Sequence, residues 1–230
     1  MSDWTILCDF DGTIALDDTT DTLLERFARP GWEVLEADWR AGRIGSHDCM
    51  AGQVALLDMD RRELDAHLAQ RAIDPAFAEF VKHVHGQDMH LEVLSDGLDY
   101  AIRTILGREG LDWLPVTANR LEPAGERSWR LAFPNASAIC RVASGTCKCM
   151  RAQAASGGRK RVLLIGDGAS DFCVAEAADF VFAKGNLVAH CIEKKIAHAP
   201  INGFADALAL LPGLIEGNAD ATPLLNVALA

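Results

Sequence analysis

Residues 4–13 read WTILCDFDGT. The run Trp4–Cys8 is apolar and ends abruptly in acidic and glycine residues, which is typical of a buried parallel strand that delivers a functional loop. Asp9 and Asp11 are two positions apart, so on an extended backbone both carboxylates leave the chain on the same side. Gly12 permits the sharp turn that follows. The stretch therefore predicts a strand whose end presents two carboxylates to one ligand.

Other apolar runs end in the same way, and segments with helical spacing of apolar residues lie between them. The candidate strands are Trp4–Cys8, Met89–Leu94, Arg161–Ile165, Phe180–Ala183 and, more weakly, Pro115–Ala118. The candidate helices between them span 75–84, 98–106, 147–155, 169–178 and 204–211. Alternating strands and helices predict an α/β fold, with a parallel sheet flanked by helices. Ligands of such sheets bind beyond the carboxyl ends of the strands, so the polar loops there are expected to converge.

Residues 15–74 break this alternation. They contain four helical patterns, at 20–28, 32–41, 47–57 and 61–72, without a convincing strand. We therefore predict a discontinuous core of residues 1–14 and 75–212, a helical cap of residues 15–74, and a tail of residues 213–230. Within the core, the alternation around Gly125 predicts a small hairpin over 121–133.

Charge and composition narrow the function classes. The chain of 230 residues carries 33 acidic and 22 basic residues, a formal charge of −11, and half of its residues are hydrophobic. Such a chain repels phosphate backbones and anionic lipid surfaces, so neither nucleic acid nor a membrane is an expected partner. A small anionic metabolite remains compatible, because a metal ion and a lysine reverse the field locally. The sequence does not fix the oligomeric state.

The cysteines and the N-terminus indicate the compartment. Seven cysteines are an odd number spread over predicted strands and helices, which favours reduced thiols over a disulfide framework. Residues 1–11 lack a basic segment followed by a long apolar stretch, and no run reaches the about 18 apolar residues of a membrane helix. We predict a cytoplasmic protein. Cys140, Cys147 and Cys149 lie within ten positions, but whether they bind a metal stays open, because no fourth ligand is evident.

The carboxylates suit phosphoryl transfer, which needs a nucleophile, a cation over the equatorial oxygens and an acid for the leaving alcohol. Asp9 fits the nucleophile and Asp11 the acid. Mg²⁺ takes one or two carboxylates with water and substrate oxygens, and Asp167, with Asp171 directly or through water, would complete such a site beside Asp9. Taken alone, a loop rich in glycine and aspartate is more often a turn with a helix cap.

Three further positions suit phosphate binding. Ser95 and the amide of Gly97, at the start of a predicted helix, form a plausible anion site, and Thr13 offers a hydroxyl or amide. Lys148 begins another predicted helix, where its ammonium would balance the carboxylates. Singly, the serine is more often an N-cap and the lysine a solvated side chain.

The order of these elements decides their interpretation. The chain carries, in order, an acidic pair, a serine, a lysine and a second acidic pair. This order resembles the four motifs of the haloacid dehalogenase superfamily, and the presence of Asp11 makes the chain similar to the phosphatases of that superfamily. The resemblance implies a Rossmann-like sheet with an inserted helical cap and a phosphoaspartyl intermediate on Asp9. It implies that Asp11 is the general acid and base and that Ser95 and Lys148 bind phosphate. We expect Asp96 and Gly97, in the same loop as Ser95, to contact phosphate or substrate as well. The resemblance also implies that Asp9, the backbone carbonyl of Asp11 and Asp167 would hold Mg²⁺.

The helical insert resembles the cap of the phosphoserine phosphatase-like subfamily. In that group the cap supplies a glutamate and an arginine, and the corresponding positions here appear as Asp18 and Gln53, of which Asp18 is kept as a substrate-binding candidate. An amide cannot replace the bidentate carboxylate recognition of a guanidinium, so phosphoserine is disfavoured. Segments 21–28, 30–32, 44–46 and 133–134 are more similar to the methionine-salvage phosphatases, which act on a hydroxyketo-methylthiopentenyl phosphate.

Three function classes remain at this stage. The leading prediction is a Mg²⁺-dependent phosphomonoesterase acting on a small phosphorylated metabolite, with phosphoserine or phosphoethanolamine as alternative substrates. A phosphotransferase that passes the phosphoryl group to an alcohol would use the same aspartates. A non-catalytic binding protein is disfavoured because every catalytic position is intact.

Overall fold

A computed structural model describes residues 4–156 and 160–216 of the chain. Its strands are β1 (Trp4–Cys8), β2 (His90–Leu98), β3 (Val116–Pro123), β4 (Trp129–Ala132), β5 (Arg161–Gly166), β6 (Phe180–Ala183) and β7 (His198–Pro200). Its α-helices are α1 (Thr19–Phe27), α2 (Trp32–Arg40), α3 (Ser46–Ala55), α4 (Arg61–Leu68), α5 (Phe77–Gly86), α6 (Asp99–Arg108), α7 (Lys148–Ser156), α8 (Phe172–Ala175), α9 (Gly185–Lys194) and α10 (Phe204–Ile215).

The strands form a sheet in the order β4-β3-β2-β1-β5-β6-β7. β1 pairs in parallel with both β2 and β5, and β5, β6 and β7 continue the parallel part. β3 and β4 form an antiparallel pair, in which Leu121 faces Leu131 and Pro123 faces Trp129. The predicted α/β class and the predicted hairpin are both confirmed.

The chain folds as two compact units. The first unit contains the described parts of residues 1–14, 73–93 and 148–230. β1, β5 and β6 supply its core, and every residue of β1 is buried because helices of a parallel sheet cover both faces. α5 and α10 pack together through Phe204, whose ring centroid lies 4.7 Å from that of Phe77 and 5.2 Å from that of Phe80.

The second unit contains residues 15–72 and 94–147. α1 to α4 lie within or close to the four helical patterns, so the predicted helical insert between β1 and β2 is confirmed. Asp60 and Glu63 form a capping box that starts α4, which satisfies two backbone N–H groups reciprocally. Trp129 of the hairpin donates from Nε1 to the Met59 carbonyl at 2.9 Å, which joins β4 to the segment before α4. β2 begins in the first unit and ends in the second.

The structure differs from the predicted elements in four places. β2 continues through Ser95 to Leu98, because these residues are buried and their polar groups find partners inside the protein. The predicted helix 169–178 is a 3-10 turn (Ala169–Asp171) followed by the single turn of α8. α9 and β7 were not predicted. α10 passes Pro212 and ends at Ile215, inside the predicted tail, whose residues 217–230 lie outside the described residues.

None of the helices in the described ranges is long and apolar enough to cross a membrane.

Candidate active site

Lys148 is the centre of a buried ionic cluster in the first unit. Its Nζ lies 2.8 Å from Oδ1 of Asp9 and 2.7 Å from Oδ1 of Asp171, and it donates to the Ser170 hydroxyl at 3.1 Å. The lysine side chain is 2% exposed, and the side chains of Asp9 and Asp171 are 7% and 0% exposed. Three acceptors match the three ammonium protons, so the lysine is held in one position. Lys148 therefore balances the carboxylates, as the sequence predicted, and the alternative of a solvated side chain is excluded.

The pairing of β1 with β5 brings the acidic residues together. Cys8 lies beside Ile165 in the parallel register, and the amide of Asp9 donates to the Ile165 carbonyl at 2.9 Å. Both strands therefore end side by side, and Asp9 and Asp167 follow them directly. This is the convergence that parallel strands with polar ends predict.

Three carboxylates form one group at these strand ends. One carboxylate oxygen from each of Asp9, Asp167 and Asp171 lies within 4.8 Å of the other two, and within residues 4–156 and 160–216 this is the one such group of His, Cys, Asp and Glu side chains. Oδ2 of Asp171 accepts from the amide of Asp167 at 3.2 Å, and Thr13 donates from its hydroxyl to Oδ1 of Asp167 at 3.1 Å. All donors in the group are oxygens, which suits a hard cation such as Mg²⁺.

Electrostatics favour a cation at this group. Burial raises the pKa of Asp9 well above its usual value, the charge of Asp171 raises it further, and Lys148 opposes both. Burial and the charge of Asp171 also raise the pKa of Asp167. Burial alone would lower the pKa of Lys148, but Asp171 and Asp9 outweigh burial and raise it. The cluster thus carries more negative charge than its lysine balances, and a divalent cation would relieve the repulsion.

The turn after Asp9 fits tightly against the cluster. Gly12 has a φ of 70°, and a Cβ at this position would stand 2.5 Å from Oδ2 of Asp167, so only glycine fits. Lys184 donates from Nζ to the Gly12 carbonyl at 2.9 Å. Asp11 begins this turn and is half-buried, and its role as acid and base stays a prediction.

Sequence reasoning missed two contributors to this region. Lys184 directly follows β6, the third parallel strand to end at this edge, so its position after a strand end was the available signal. Ser170 lies between the two acidic residues of the last motif, and its hydroxyl is the third acceptor of the Lys148 ammonium.

The second predicted binding loop, Ser95 to Gly97, lies in the second unit. Ser95 is 1% exposed, and its hydroxyl accepts from the amide of Gly97 at 2.9 Å. Asp96 is 8% exposed, and Oδ1 accepts from Asn119 Nδ2 at 3.0 Å and from the amide of Thr146 at 2.7 Å. The hydroxyl of Ser46 donates to Oδ2 of Asp96. Both oxygens of Asp96 are thus engaged within the protein, whereas Asp96 was predicted to contact phosphate or substrate.

The two cap positions show separate local roles. Asp18 is exposed and caps α1, accepting from the amide of Asp21 at 2.9 Å. Gln53 is 3% exposed, and its Nε2 donates to Oε2 of Glu36 at 3.2 Å. The position predicted for a carboxylate-binding arginine therefore holds an amide beside a carboxylate.

The cysteines near Lys148 do not form one cluster. Cys140 lies in the second unit with its Sγ 3.1 Å from the Ser144 hydroxyl, and hydrogen bonds at Cys140, from Ser144 first, lower its pKa although burial opposes this. Cys149 lies in the first unit and faces Cys173. The three-thiol zinc site raised by the sequence has no counterpart among the residues that the structure describes.

Comparison with known proteins finds a matching family model and related phosphatases. A family model described as haloacid dehalogenase-like hydrolase matches residues 6–176. The 2-hydroxy-3-keto-5-methylthiopentenyl-1-phosphate phosphatase of Exiguobacterium sp. is 29% identical over 213 residues, which are 91% of this chain and 97% of that protein. The enzyme of the same name from Geobacillus kaustophilus is 31% identical over 212 residues, 90% of this chain and 94% of that protein.

A solved structure shares the fold. The phospho-aspartyl intermediate analogue of phosphoserine phosphatase superposes with a TM-score of 0.67 at 20% identity, over 89% of this chain and 97% of that chain.

Proposed function

We propose a substrate and a mechanism for this chain, which belongs to the haloacid dehalogenase-like hydrolase family and is one of its phosphatases. It is a Mg²⁺-dependent phosphomonoesterase, and its substrate is a small phosphate ester without a carboxylate, related to 2-hydroxy-3-keto-5-methylthiopentenyl-1-phosphate. The observation that carries the proposal is the buried cluster in which Lys148 holds Asp9 at 2.8 Å and Asp171 at 2.7 Å.

The mechanism assigns roles in phosphoryl transfer to Asp9, Asp11, Ser95 and Lys148. A carboxylate oxygen of Asp9 attacks phosphorus, an aspartyl–phosphate bond forms, and the ester bond to the alcohol breaks. The carboxyl of Asp11 gives its proton to the departing alkoxide and later takes one from water. That water attacks the phosphoaspartate, which releases inorganic phosphate and restores the carboxylate of Asp9. Lys148 binds the phosphoryl oxygens, and the same role for Ser95 rests on the sequence resemblance.

Asp9, Asp167 and Asp171, with the backbone carbonyl of Asp11, would hold Mg²⁺. Their fit rests on the shared oxygen chemistry and on the 4.8 Å span of the three carboxylates. Bound there, the ion neutralises the phosphoryl oxygens as charge develops on them. Lys148 alone cannot do this, because Asp9 and Asp171 already use its charge.

The cap supports a substrate without a carboxylate. Gln53 donates to Glu36 at 3.2 Å, and the guanidinium of Arg40 pairs with the same carboxylate at 2.7 Å. A substrate carboxylate at this position would therefore meet an amide beside an existing ion pair, where phosphoserine phosphatases present an arginine. The names of the Exiguobacterium and Geobacillus relatives specify a phosphate ester with hydroxyl, keto and methylthio groups. A neutral tail of this kind needs no cationic partner in the cap.

The test compares phosphate release from three esters: 2-hydroxy-3-keto-5-methylthiopentenyl-1-phosphate, phosphoserine and phosphoethanolamine. We expect the methylthiopentenyl ester to have the highest kcat/KM, EDTA to abolish turnover, and added Mg²⁺ to restore it. An Asp9→Asn variant purified in parallel measures contaminating phosphatase.

A second arm adds alcohols to the assay and compares the phosphate released with the ester consumed, which separates hydrolysis from transfer. A higher kcat/KM for phosphoserine would overturn the substrate class. Full activity without metal would overturn the Mg²⁺ requirement.

A further inference from the structure

Two thiols in the first unit lie beside the ionic cluster. Sγ of Cys149 is 3.0 Å from Sγ of Cys173, and both residues are half-buried. Cys149 is the second residue of α7, directly after Lys148, and Cys173 is the second residue of α8, two positions after Asp171. The thiol pair therefore lies on α7, which begins with Lys148, and on α8, which begins directly after Asp171.

The separation of the sulfurs is close to that of a bonded pair. A disulfide bond is about 2.05 Å long, so the two sulfur atoms need to approach by only about 1 Å. Cys140, in the second unit, instead has its Sγ 3.1 Å from the Ser144 hydroxyl. Cys149 and Cys173 are 24 positions apart, so their contact depends on the folded packing of α7 and α8.

We propose that Cys149 and Cys173 are a site of reversible disulfide formation that switches off the phosphatase. A peroxide oxidises one thiol to a sulfenic acid and is itself reduced to water. The second thiol attacks the sulfenic sulfur, the S–S bond forms, and the S–O bond breaks with loss of a second water. Two thiols and one hydrogen peroxide thus give one disulfide and two waters, and a dithiol reductant reverses the change by exchange.

The disulfide acts on the site through the first turns of α7 and α8. Forming it moves residues next to Lys148 and Asp171, whose side chains are 2.7 Å apart and fully or almost fully buried. Displacements near 1 Å at a catalytic site cost about 100-fold in rate, so we expect a loss of 10- to 100-fold in kcat/KM. This activity effect rests on the proposed function, whereas formation of the disulfide does not.

The test treats the full-length, Mg²⁺-loaded protein with increasing hydrogen peroxide and removes the excess with catalase. Remaining thiols are alkylated, and the linked peptides are identified by mass spectrometry without reduction. We expect a Cys149–Cys173 linkage to appear in parallel with the loss of phosphate release, and dithiothreitol to reverse both.

Variants separate this pair from the other thiols. Cys149→Ser and Cys173→Ser are each expected to keep the basal activity and to resist peroxide. Cys140→Ser is the matched control, because it removes a half-buried thiol of the second unit and leaves the pair intact, so its sensitivity should equal that of the original protein. Thermal unfolding of each variant establishes that it is folded. Should Cys149→Ser fail to fold, Cys173→Ser alone still breaks the pair.

Three results would overturn the inference. One is inactivation by peroxide without the Cys149–Cys173 linkage. Another is that peroxide inactivates the Cys149→Ser and Cys173→Ser variants as much as it inactivates the original protein. The third is a complete linkage with unchanged kcat/KM. If no phosphate ester is turned over at all, the proposed function fails, while the mass-spectrometric result still decides whether the disulfide forms.

Discussion

Asp171 and Asp96 are both buried aspartates near strand ends, and they differ in what donates to them. Asp171, after β5, accepts from the ammonium of Lys148, which it shares with Asp9. Asp96, near the end of β2, accepts from Asn119, from the amide of Thr146 and from the hydroxyl of Ser46. The first aspartate belongs to a group with excess negative charge, which suits a cation, and a bound cation would in turn favour a phosphate. The second is surrounded by neutral donors that fix backbone segments.

This difference distinguishes residues that we expect to act in catalysis from residues that stabilise the fold. Neutral donors that use both carboxylate oxygens leave little capacity for a ligand, but they fix the loop that carries Ser95 and Gly97. In the group around Asp171, the carboxylates outnumber the lysine that balances them, and a bound cation would relieve the repulsion between them. Substitutions in the first group should therefore change activity more than stability, and those around Asp96 should do the reverse.

The largest effect is expected for Asp9→Asn. The amide is a poor nucleophile, so kcat should fall by at least about 10³-fold. The variant also removes a buried charge from a group with excess negative charge, so its thermal stability should be equal to or higher than that of the original protein. Phosphate release and thermal unfolding measure the two quantities. Asp112→Asn, at an exposed position, is the control. Retention of most activity would refute the nucleophile assignment.

Asp96→Ala should show the opposite profile. It leaves the Ser46 hydroxyl and the Thr146 amide without their carboxylate acceptor, whereas Asn119 keeps its bond to the Asp96 carbonyl. The free energy of unfolding should therefore fall by about 3 kcal/mol. Urea denaturation measures this loss. Asp99→Ala is the matched control, since Asp99 accepts from the amide of Leu121 in the same unit. If both variants lose the same free energy of unfolding, the network around Asp96 stabilises the protein no more than the hydrogen bond of Asp99 does.

The sequence predicted the first group better than the second for a physical reason. Asp9 and Asp167 directly follow apolar runs, so the geometry of a parallel sheet places them together, and the predicted family is confirmed. The donors to Asp96 lie 50, 23 and 50 positions away and belong to no common pattern, so only the folded chain reveals them. The strand after α9 was missed because β7 has only three residues.

Asp171→Asn tests whether the first group tolerates loss of charge. Asparagine offers one acceptor oxygen where Asp171 uses two, for Lys148 and for the amide of Asp167. We expect kcat/KM to fall by about 10- to 100-fold, as for other groups that orient a catalytic side chain. Steady-state kinetics measure the loss, and Ser170→Ala, which removes a neutral partner of Lys148, should cost less. Equal losses would mean that the charge of Asp171 is not what matters.

The smallest effect is expected for Ser46→Ala, which removes one of the donors to Asp96. Asn119 and Thr146 still donate to Oδ1, so the free energy of unfolding should fall by about 1 kcal/mol and kcat should stay unchanged. Ser46→Thr keeps the hydroxyl and should restore the stability. The Ser46→Ala/Asp96→Ala double variant should be little less stable than Asp96→Ala, because the serine then has no carboxylate to lose. Additive losses would show that Ser46 stabilises α3 independently of Asp96.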